Sequence, residues 1–330
     1  MMSLNSILKR SISLALPGVI TLGAVFGAST AHAKKLLIVT NEPGAKKAML
    51  IKNKIQTMQP FGALTSEEFS IEIKQLDKQG PQIECKPKVV KYSEAELVAV
   101  RYYADKNGVK LSSADEAKYK AGYTIDRLVE CDKAGIARIG AHYQADQLLF
   151  VYNSPNQGGS GGDIPIILSG SIPGVGVHEW LHTFGLADEY AYTTSQEAAL
   201  YCADRHWVNV GMFNDQPPYR SSDDVRTRHR DQIPWLPQLS ASNALVTGEQ
   251  LGTPSPQALG IFPSKTCTKL QKKLKSWKVS REETIMENTY SSYLPKAYWP
   301  PILRELGVSD KRIETLMKTG NPSIGFSGPQ

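Results

Sequence analysis

One short stretch of the chain carries the residues that could bind a metal ion and activate water. Its sequence is HEWLHTFGLAD, residues 178–188, and it contains the pattern H-E-x-x-H. Residues four apart share one face of a helix, so the imidazoles of His178 and His182 can point at the same ion. Neutral imidazole nitrogen suits Zn²⁺, and a zinc site with one open position is catalytic. Glu179 is then placed to act as a general base without binding the metal.

A third ligand is expected just beyond the second histidine, because a catalytic zinc usually has three protein ligands. Gly185 comes three residues after His182, where a glycine in the left-handed conformation can end the helix and turn the chain back across the site. Asp188 follows and is predicted as the third ligand. Glu189 is the alternative, since it could bind the ion instead or hold a histidine in place.

The complete pattern is H-E-x-x-H-x-x-G-x-x-D. Its five specified positions would recur by accident in a chain of this length at roughly one in ten thousand. Val177, Leu181 and Phe184 lie at i, i+4 and i+7 and form an apolar stripe. The sequence therefore predicts a helix with one face packed in the core and one face that binds metal.

Short apolar runs alternate with helical patterns around this motif and predict an α/β fold. Strands are predicted at 35–40, 69–73, 89–92, 147–152 and 164–168. The last is assigned to a sheet edge, because Pro165 cannot donate to a ladder. Helices are predicted at 45–58, from Ser93 onward with a Ser93–Glu96 capping box, largely over 112–145, and at 309–319 between Ser309 and Gly320. Long loops are predicted over 204–265 and a loose tail over 321–330.

The N-terminus has the pattern of a secretory signal peptide over residues 1–33. Lys9 and Arg10 precede an apolar stretch at 12–28, and Ala31-His32-Ala33 forms an A-x-A cleavage site. An uncleaved membrane anchor is the alternative, although Pro17 and several glycines interrupt the apolar run. Cleavage after Ala33 predicts a secreted or periplasmic protein. It removes two basic residues and no acidic one, so the net charge falls from +6 to +4.

Composition excludes several classes of protein. Of 330 residues, 41% are hydrophobic and 21% charged, which is ordinary globular usage and excludes a mainly disordered or coiled-coil chain. A net charge of +6 is too weakly basic for a dedicated nucleic-acid binder. All four cysteines follow the predicted cleavage site, so two disulfides are expected in an oxidising compartment. Of three connectivities, Cys85 with Cys131 and Cys202 with Cys267 is favoured.

The motif and its surroundings resemble a known family. H-E-x-x-H-x-x-G-x-x-D is similar to the metzincin-type zinc peptidases, with Asp in place of the commoner third His. A strand ending at Asn153, the run GGSGG at 158–162, a second apolar strand and HEWLHTFGLADEY together resemble the IgA-peptidase-like secreted metallopeptidases over about residues 147–190. The resemblance implies zinc ligands at His178, His182 and Asp188 and a base at Glu179. It also implies that an extended peptide substrate pairs with an edge strand at 164–168.

The same resemblance implies a zincin-like α/β (α+β) build with a mixed sheet. An upper subdomain at about 34–186 would carry the active-site helix, and a lower one at about 187–320 would be loop-rich and helical. It implies a methionine turn beneath the zinc, for which Met286 is the best candidate, although a core methionine remains open. Tyr290, four residues later, could stabilise an oxyanion, but this spacing differs from the Met-x-Tyr of some relatives.

The sequence thus predicts a zinc-dependent endopeptidase that acts on a polypeptide; the alternative is a non-catalytic protein of the same fold that retains zinc and binds a surface or matrix. Neither nucleic acid nor stable membrane insertion is expected. Ser160 formally fits the G-x-S-x-G elbow of serine hydrolases, but a strand rather than a helix follows it. His142, His206 and His229 are interpreted as surface or structural.

A basic run near the C-terminal third suggests a second kind of partner. Leu270, Leu274 and Trp277 lie at i, i+4 and i+7 within it and predict an amphipathic helix. Such a face could bind an anionic polysaccharide or membrane surface. The cationic residues are Lys265, Lys269, Lys272, Lys273, Lys275, Lys278 and Arg281.

Overall fold

The chain is a mixed α/β protein built around a five-stranded sheet. A computed structural model describes residues 33–77, 82–106, 110–192, 202, 207–213, 227–238, 260–268 and 275–321. The predicted signal peptide and the predicted tail therefore lie outside the described residues, apart from Ala33 and Asn321. Within the described part of the chain, no helix has the length and apolarity needed to cross a membrane.

The main sheet carries parallel strands at its centre. Its strands are β1 (Lys34–Thr40), β2 (Phe69–Gln75), β5 (Gln147–Tyr152), β6 (Gly159–Ser160) and β7 (Ile166–Leu168). The spatial order is β2-β1-β5-β7-β6, and only the β6–β7 pair is antiparallel. Helices cover both faces of a parallel sheet, so β1 reads as a continuous apolar run. This confirms the strands predicted at 35–40, 69–73 and 147–152.

Two helices pack on one face of the sheet near the predicted site. Helix α1 (Lys46–Thr57) buries Ala48, Ile51 and Ile55, which confirms the helix predicted there from its periodicity. Helix α5 (Pro173–Leu181) lies against α1, and α5 and the 3-10 turn that follows it together carry the H-E-x-x-H pattern. Proline at its first position suits a helix start, because the missing N–H is one that the helix cannot use.

The edge assignment of residues 164–168 is wrong. Strand β7 has β5 on one side and β6 on the other, so β6 is the outermost strand. Pro165 lies just before β7, and its carbonyl accepts a hydrogen bond from the Phe150 N–H at 2.9 Å. Its missing donor therefore does not interrupt the ladder. Part of the GGSGG run at 158–162, Gly159–Ser160, supplies the extra strand.

The largely helical stretch predicted over 112–145 is confirmed at both ends and wrong in the middle, where a strand divides it. Helix α3 (Ser113–Ala121) ends at Gly122, strand β4 (Tyr123–Cys131) follows, and helix α4 (Lys133–His142) begins after Asp132. Both breaks have local causes. Gly122 adopts a φ of 87°, and the Asp132 side chain accepts a hydrogen bond from the Gly135 N–H and so caps α4.

Strand β4 pairs antiparallel with β3 (Cys85–Val90), and one disulfide closes this hairpin. Cys85 and Cys131 lie directly opposite each other, and the bond between them confirms the predicted pairing. Between the two strands, helix α2 (Glu94–Lys106) begins after Ser93. The Glu96 side chain accepts from the Ser93 N–H, and the Glu96 N–H donates back to the Ser93 hydroxyl, which confirms the capping box.

The C-terminal third forms a second, three-stranded antiparallel sheet. Strand β10 (Lys275–Lys278) lies between β8 (Gly211–Phe213) and β9 (Phe262–Pro263), inside a region predicted as loops and an amphipathic helix. The helix prediction is wrong at 275–278, because Trp277 is buried where β10 pairs with both neighbours. Residues 269–274 of the basic run lie outside the described residues.

Two lysines of the basic run are neutralised by acidic side chains. Lys278 is buried and forms an ion pair with Glu287, and Lys265 lies 2.8 Å from the other oxygen of the same carboxylate. Lys278 therefore does not belong to a solvated cationic face, whereas Lys265 is exposed and its charge is balanced by Glu287. Binding of this segment to an anionic surface stays a prediction.

The remaining elements are a disulfide and two C-terminal helices, which contribute side chains to the main core. A second disulfide, Cys202–Cys267, confirms the other predicted pair. Helices α6 (Trp299–Glu305) and α7 (Asp310–Thr319) follow, and the Ser309 hydroxyl accepts from the Arg312 N–H as the predicted N-cap. Gly320 ends α7 in an extended conformation, with φ at −70°, rather than a left-handed one.

Candidate metal centre

Helix α5 holds the two histidines through the apolar packing of its other side. Val177, Leu181 and Phe184 are buried in the main core, as the predicted stripe requires. The helix tightens into a 3-10 turn at His182–Phe184. The imidazole rings of His178 and His182 face the same space, with centroids 4.8 Å apart and planes at 88°.

Backbone carbonyls orient both imidazoles so that Nε2 is available to a metal ion. Nδ1 of His178 lies 2.9 Å from the Ile285 carbonyl oxygen, and Nδ1 of His182 lies 2.7 Å from that of Leu186. A carbonyl can only accept, so each Nδ1 must carry the proton and donate it. The neutral ring then presents an Nε2 lone pair, which is the usual arrangement of a metal-binding histidine.

Gly185 ends the helix as predicted and turns the chain back toward the histidines. It adopts φ 82° and ψ 17°, the left-handed conformation that favours glycine. Asp188 then places Oδ1 at 2.9 Å from Nε2 of His178 and 3.2 Å from Nε2 of His182. The three side chains form a group whose ligand atoms all lie within 4.8 Å of one another and that could hold a metal ion.

The Asp188 carboxylate is itself held by two neighbouring residues. The Tyr192 hydroxyl donates to Oδ2 at 3.1 Å, leaving Oδ1 to face the histidines. The Thr266 hydroxyl donates to the Asp188 carbonyl at 2.7 Å. These contacts fix both the side chain and the backbone of the residue at the point where it meets His178 and His182.

The electrostatics of this group follow from its burial. Burial by itself would lower the pKa of His178, but the hydrogen bond and negative charge of Asp188 raise it to about 9. Burial raises the pKa of Asp188, and the positive charge of His182 and the hydrogen bond from His178 outweigh this and hold it well below its usual range. A proton and a metal ion compete for the same Nε2 atom, so metal binding here releases protons.

Glu179 lies on the open side of the group. Its Oε2 is 3.9 Å from Nε2 of His182, and the side chains of Glu179 and His182 keep 14% and 17% of their exposure, against 3% for His178. The carboxylate is therefore near the ligand atoms without being one of them. Its role as a general base stays a prediction.

The backbone at Gly159, in strand β6, and at Gly161, just after it, passes close to these two side chains. A Cβ atom on Gly159 would come within 2.9 Å of Glu179 Cγ, and one on Gly161 within 2.9 Å of His182 Cδ2. Real Cβ atoms do not approach that closely, so this segment can border the open side of the group only with glycine at positions 159 and 161.

Glu189, the alternative ligand, turns away from the histidines. Its carboxylate accepts hydrogen bonds from Asn209, Thr284 and Tyr298 and is fully buried. Burial raises its pKa, and the nearby charge of Lys278 opposes that rise. The geometry therefore favours Asp188 over Glu189 as the third member of the group.

Met286 and Tyr290 lie in different surroundings. Met286 is fully buried in the main core, and its turn presents the Ile285 carbonyl to His178 and the Met286 carbonyl to the Glu189 N–H at 2.9 Å. The turn thus contacts His178 through the Ile285 carbonyl and the Asp188–Glu189 segment through the Met286 carbonyl. Tyr290 keeps 44% of its exposure, and its role in stabilising an oxyanion stays a prediction.

Two tyrosines that sequence reasoning missed adjoin the group. Tyr192 holds Asp188, and the Tyr190 ring stacks on His178 with centroids 5.9 Å apart and planes at 22°. Both lie within four residues after Asp188, and this closeness in sequence is the signal that could have identified them. Nothing in a spacing rule says which of several aromatic residues in a loop turns back toward a ligand.

The other residues considered for chemistry lie apart from this group. Ser160 is in strand β6 and is followed by β7, so the strand–turn–helix of a nucleophile elbow is not formed. His142 is exposed at the end of α4, and the buried His229 places Nδ1 2.9 Å from the Gln232 side-chain oxygen. His206 lies outside the described residues.

Comparison with known proteins adds no family name. No protein-family model matches the chain, and no curated protein matches it.

Proposed function

We propose that this chain is an exported zinc-dependent endopeptidase of the metzincin type, similar to the IgA-peptidase-like enzymes. The observation that carries the proposal is the convergence of His178, His182 and Asp188, with Glu179 beside them on the same helix. The two histidines come from helix α5 and its last turn, and Asp188 comes from the loop after the left-handed Gly185. The Glu179 carboxylate, which is not part of the group, lies on its open side.

The donor set suits zinc. A tetrahedral site with bonds of about 2.1 Å separates its ligand atoms by about 3.4 Å. The two distances from Asp188 Oδ1 to the imidazole nitrogens, 2.9 and 3.2 Å, are close to this and need only a small outward adjustment. Two imidazoles and one carboxylate are also a ligand set found in catalytic zinc sites, which leave the fourth position to water or substrate.

The residues of the chain divide the chemistry between them. Zinc, when bound, lowers the pKa of a water molecule and polarises a carbonyl group. The Glu179 carboxylate accepts the proton of the attacking water and passes it to the nitrogen of the departing amine. Ile285 and Leu186 keep the two imidazoles in the tautomer that binds metal, and Tyr192 keeps Asp188 turned toward them.

The substrate is a polypeptide in an extended conformation. Strand β6, rather than β7, is the outermost strand of the main sheet, and Gly159 in it and Gly161 just after it bring the backbone against Glu179 and His182. A peptide that hydrogen-bonds along β6 would place a peptide bond near the catalytic group, by the general mode in which a strand is added to a sheet edge.

The decisive experiment compares the wild-type protein with Glu179→Gln. Metal content is measured on both, and cleavage of casein and of a peptide library is followed with and without a chelator. We expect wild type to bind about one zinc and to cleave peptides, and Glu179→Gln to keep the metal and lose cleavage. Glu305→Gln, an exposed glutamate in α6, is the matched control and should cleave like wild type.

The possible outcomes separate the two readings of the site. Zinc without cleavage in wild type would favour the alternative, a zinc-retaining protein that binds a surface or matrix. Wild-type turnover in Glu179→Gln would remove Glu179 from the role of base. Absence of any bound metal in wild type would overturn the proposal as a whole.

Export is the second part of the proposal. Two disulfides indicate an oxidising compartment, and the predicted signal peptide supplies a route to it. N-terminal sequencing of protein recovered from the periplasm or the medium should begin at Lys34, directly after Ala33. A mature protein that begins at Met1 or Met2 would contradict cleavage.

A further inference from the structure

Glu189 carries a carboxylate into the interior of the protein and satisfies it with several hydrogen bonds. Oε1 accepts from Asn209 Nδ2 and from the Tyr298 hydroxyl, both at 2.9 Å, and Oε2 accepts from the Thr284 hydroxyl at 2.6 Å. Lys278 lies 4.0 Å away. Replacing buried ion pairs with apolar groups is often neutral or stabilising, so stability alone is a weak reason for such an arrangement.

These hydrogen bonds connect two segments that are far apart in sequence. Asn209 also brackets Ala187, accepting from its N–H at 2.6 Å and donating to its carbonyl at 2.8 Å. Thr284, on the other side, accepts from the Met286 N–H at 3.1 Å and so shapes the turn that contains Ile285. The Glu189 side chain therefore bridges the Asp188 loop and that turn, beside the backbone bond from the Glu189 N–H to the Met286 carbonyl.

The two segments position different members of the His178–His182–Asp188 group. The turn presents the Ile285 carbonyl to Nδ1 of His178, and the loop presents the Leu186 carbonyl to Nδ1 of His182 and carries Asp188 itself. We propose that Glu189 is a positioning residue for the metal centre: through Thr284 it keeps the His178 orienter and the Asp188 loop in one mutual geometry. This inference rests on the proposed binding of zinc by His178, His182 and Asp188.

The bridge requires a carboxylate rather than any polar group. The Thr284 hydroxyl has one proton, which it donates to Glu189, while one of its lone pairs accepts from the Met286 N–H. A glutamine that keeps its oxygen toward Asn209 and Tyr298 would present an NH₂ group to Thr284. The hydroxyl proton would then lose its acceptor inside the protein, and the backbone bond from the Glu189 N–H to the Met286 carbonyl would have to hold the turn to the loop without the side-chain bond.

The test measures metal binding directly. Wild type, Glu189→Gln, Thr284→Val and the double variant are titrated with Zn²⁺ in competition with a coloured chelator, and the visible spectrum of each Co²⁺-loaded protein is recorded. Loss of a group that orients a ligand typically lowers metal affinity about 10–100-fold. We expect each single variant to fall in that range with an altered Co²⁺ spectrum. The double variant should lose little more than either single one, because both remove the same bond.

Thr40→Val is the matched control. The Thr40 hydroxyl is also buried, donates to the Val151 carbonyl at 3.0 Å and accepts from the N–H two residues on, as Thr284 does. It lies at the end of strand β1 rather than in the bridge. We expect Thr40→Val to lose stability but to keep zinc affinity within about twofold and an unchanged Co²⁺ spectrum.

Each result decides between the possibilities. Wild type that binds no zinc overturns the proposed function itself. Wild type that binds zinc, together with Thr284→Val and Glu189→Gln that bind it equally well, overturns the positioning role. If Glu189→Gln does not fold, the milder Thr284→Val decides alone, and equal losses in Thr284→Val and Thr40→Val would mean that the effect is general destabilisation.

Discussion

The two sides of the metal centre are held in place by different forces. On one side, helix α5 places His178 and His182 by burying an apolar face against the main sheet and α1. On the other side, the Asp188 loop and the Met286 turn are placed by a network of buried polar groups around Glu189. The first side depends on shape and area, and the second depends on each hydrogen-bond partner.

This difference predicts which substitutions the metal centre tolerates and which it does not. Apolar packing is non-directional, so the loss of one side chain lowers stability without redirecting the histidines. A buried hydrogen bond is directional, and removing one partner leaves the other unsatisfied. Changes on the apolar side should therefore affect stability more than metal affinity, and changes on the polar side should affect both.

The largest effect on stability is expected from Trp180→Ala. Trp180 is fully buried in α5, and its ring lies 4.9 Å from that of Phe61 and 5.1 Å from that of Phe184. Truncation of a buried tryptophan costs about 4 kcal/mol. Denaturant unfolding should show this loss, while zinc affinity of the folded protein stays within about threefold. A tenfold loss of affinity would show that apolar packing also directs the ligands.

A somewhat smaller loss of stability, with a loss of affinity, is expected from Asn209→Ala. The change leaves the N–H and carbonyl of the buried Ala187 without their partner and removes one donor to Glu189. We expect a cost of about 3 kcal/mol and zinc affinity about tenfold lower. Chelator competition beside an unfolding curve measures both, and unchanged affinity would contradict the contrast between the two sides.

Gly185→Ala tests the point where the two sides join. A Cβ atom there would meet Val208 Cγ2 at 3.5 Å, which is an ordinary contact, so space is available. The backbone conformation remains, and holding a non-glycine residue in it costs about 1 kcal/mol. Thermal unfolding should show a loss of that size. A much larger loss would mean that the turn cannot keep its shape, and metal affinity should then fall as well.

The smallest effect is expected from Lys265→Ala. Its side chain is 58% exposed and pairs with Glu287 at 2.8 Å, while the buried Lys278 remains as a second partner of that carboxylate. Exposed ion pairs contribute about 0.5 kcal/mol. Unfolding in low and high salt should show a small difference that decreases with salt. A loss above about 2 kcal/mol would place Lys265 within the polar network that supports the metal centre.

Much of the helix side could be predicted because its signals are local. The spacing of His178 and His182, the apolar stripe behind them and the glycine stop all act within eleven residues, where helix geometry dictates direction. The Ser93–Glu96 capping box and the first strands were predictable for the same reason, whereas the confirmed disulfides join cysteines 46 and 65 residues apart. The zinc, the peptidase activity and the role of Glu179 remain proposals.

The failed predictions involve partners distant in sequence. The local pattern predicts helix over strand β4, although Gly122 and Asp132 signal two breaks, because the pairing of β4 with residues 85–90 is not visible locally. Strand β10 was taken for helix for the same reason. The edge of the main sheet was misplaced because a two-residue strand of glycine and serine has no periodicity to read.

By itself, the sequence indicated the residues of the His178–His182–Asp188 group, the helix leading into the two histidines and the turn that returns Asp188. Helix periodicity and glycine stereochemistry are properties of neighbouring residues, so one chain suffices to predict them. Only the tertiary structure decided that Asp188 faces the histidines while Glu189 faces inward. That choice depends on Asn209, Thr284 and Tyr298, which reach the site from positions 20, 95 and 109 residues away.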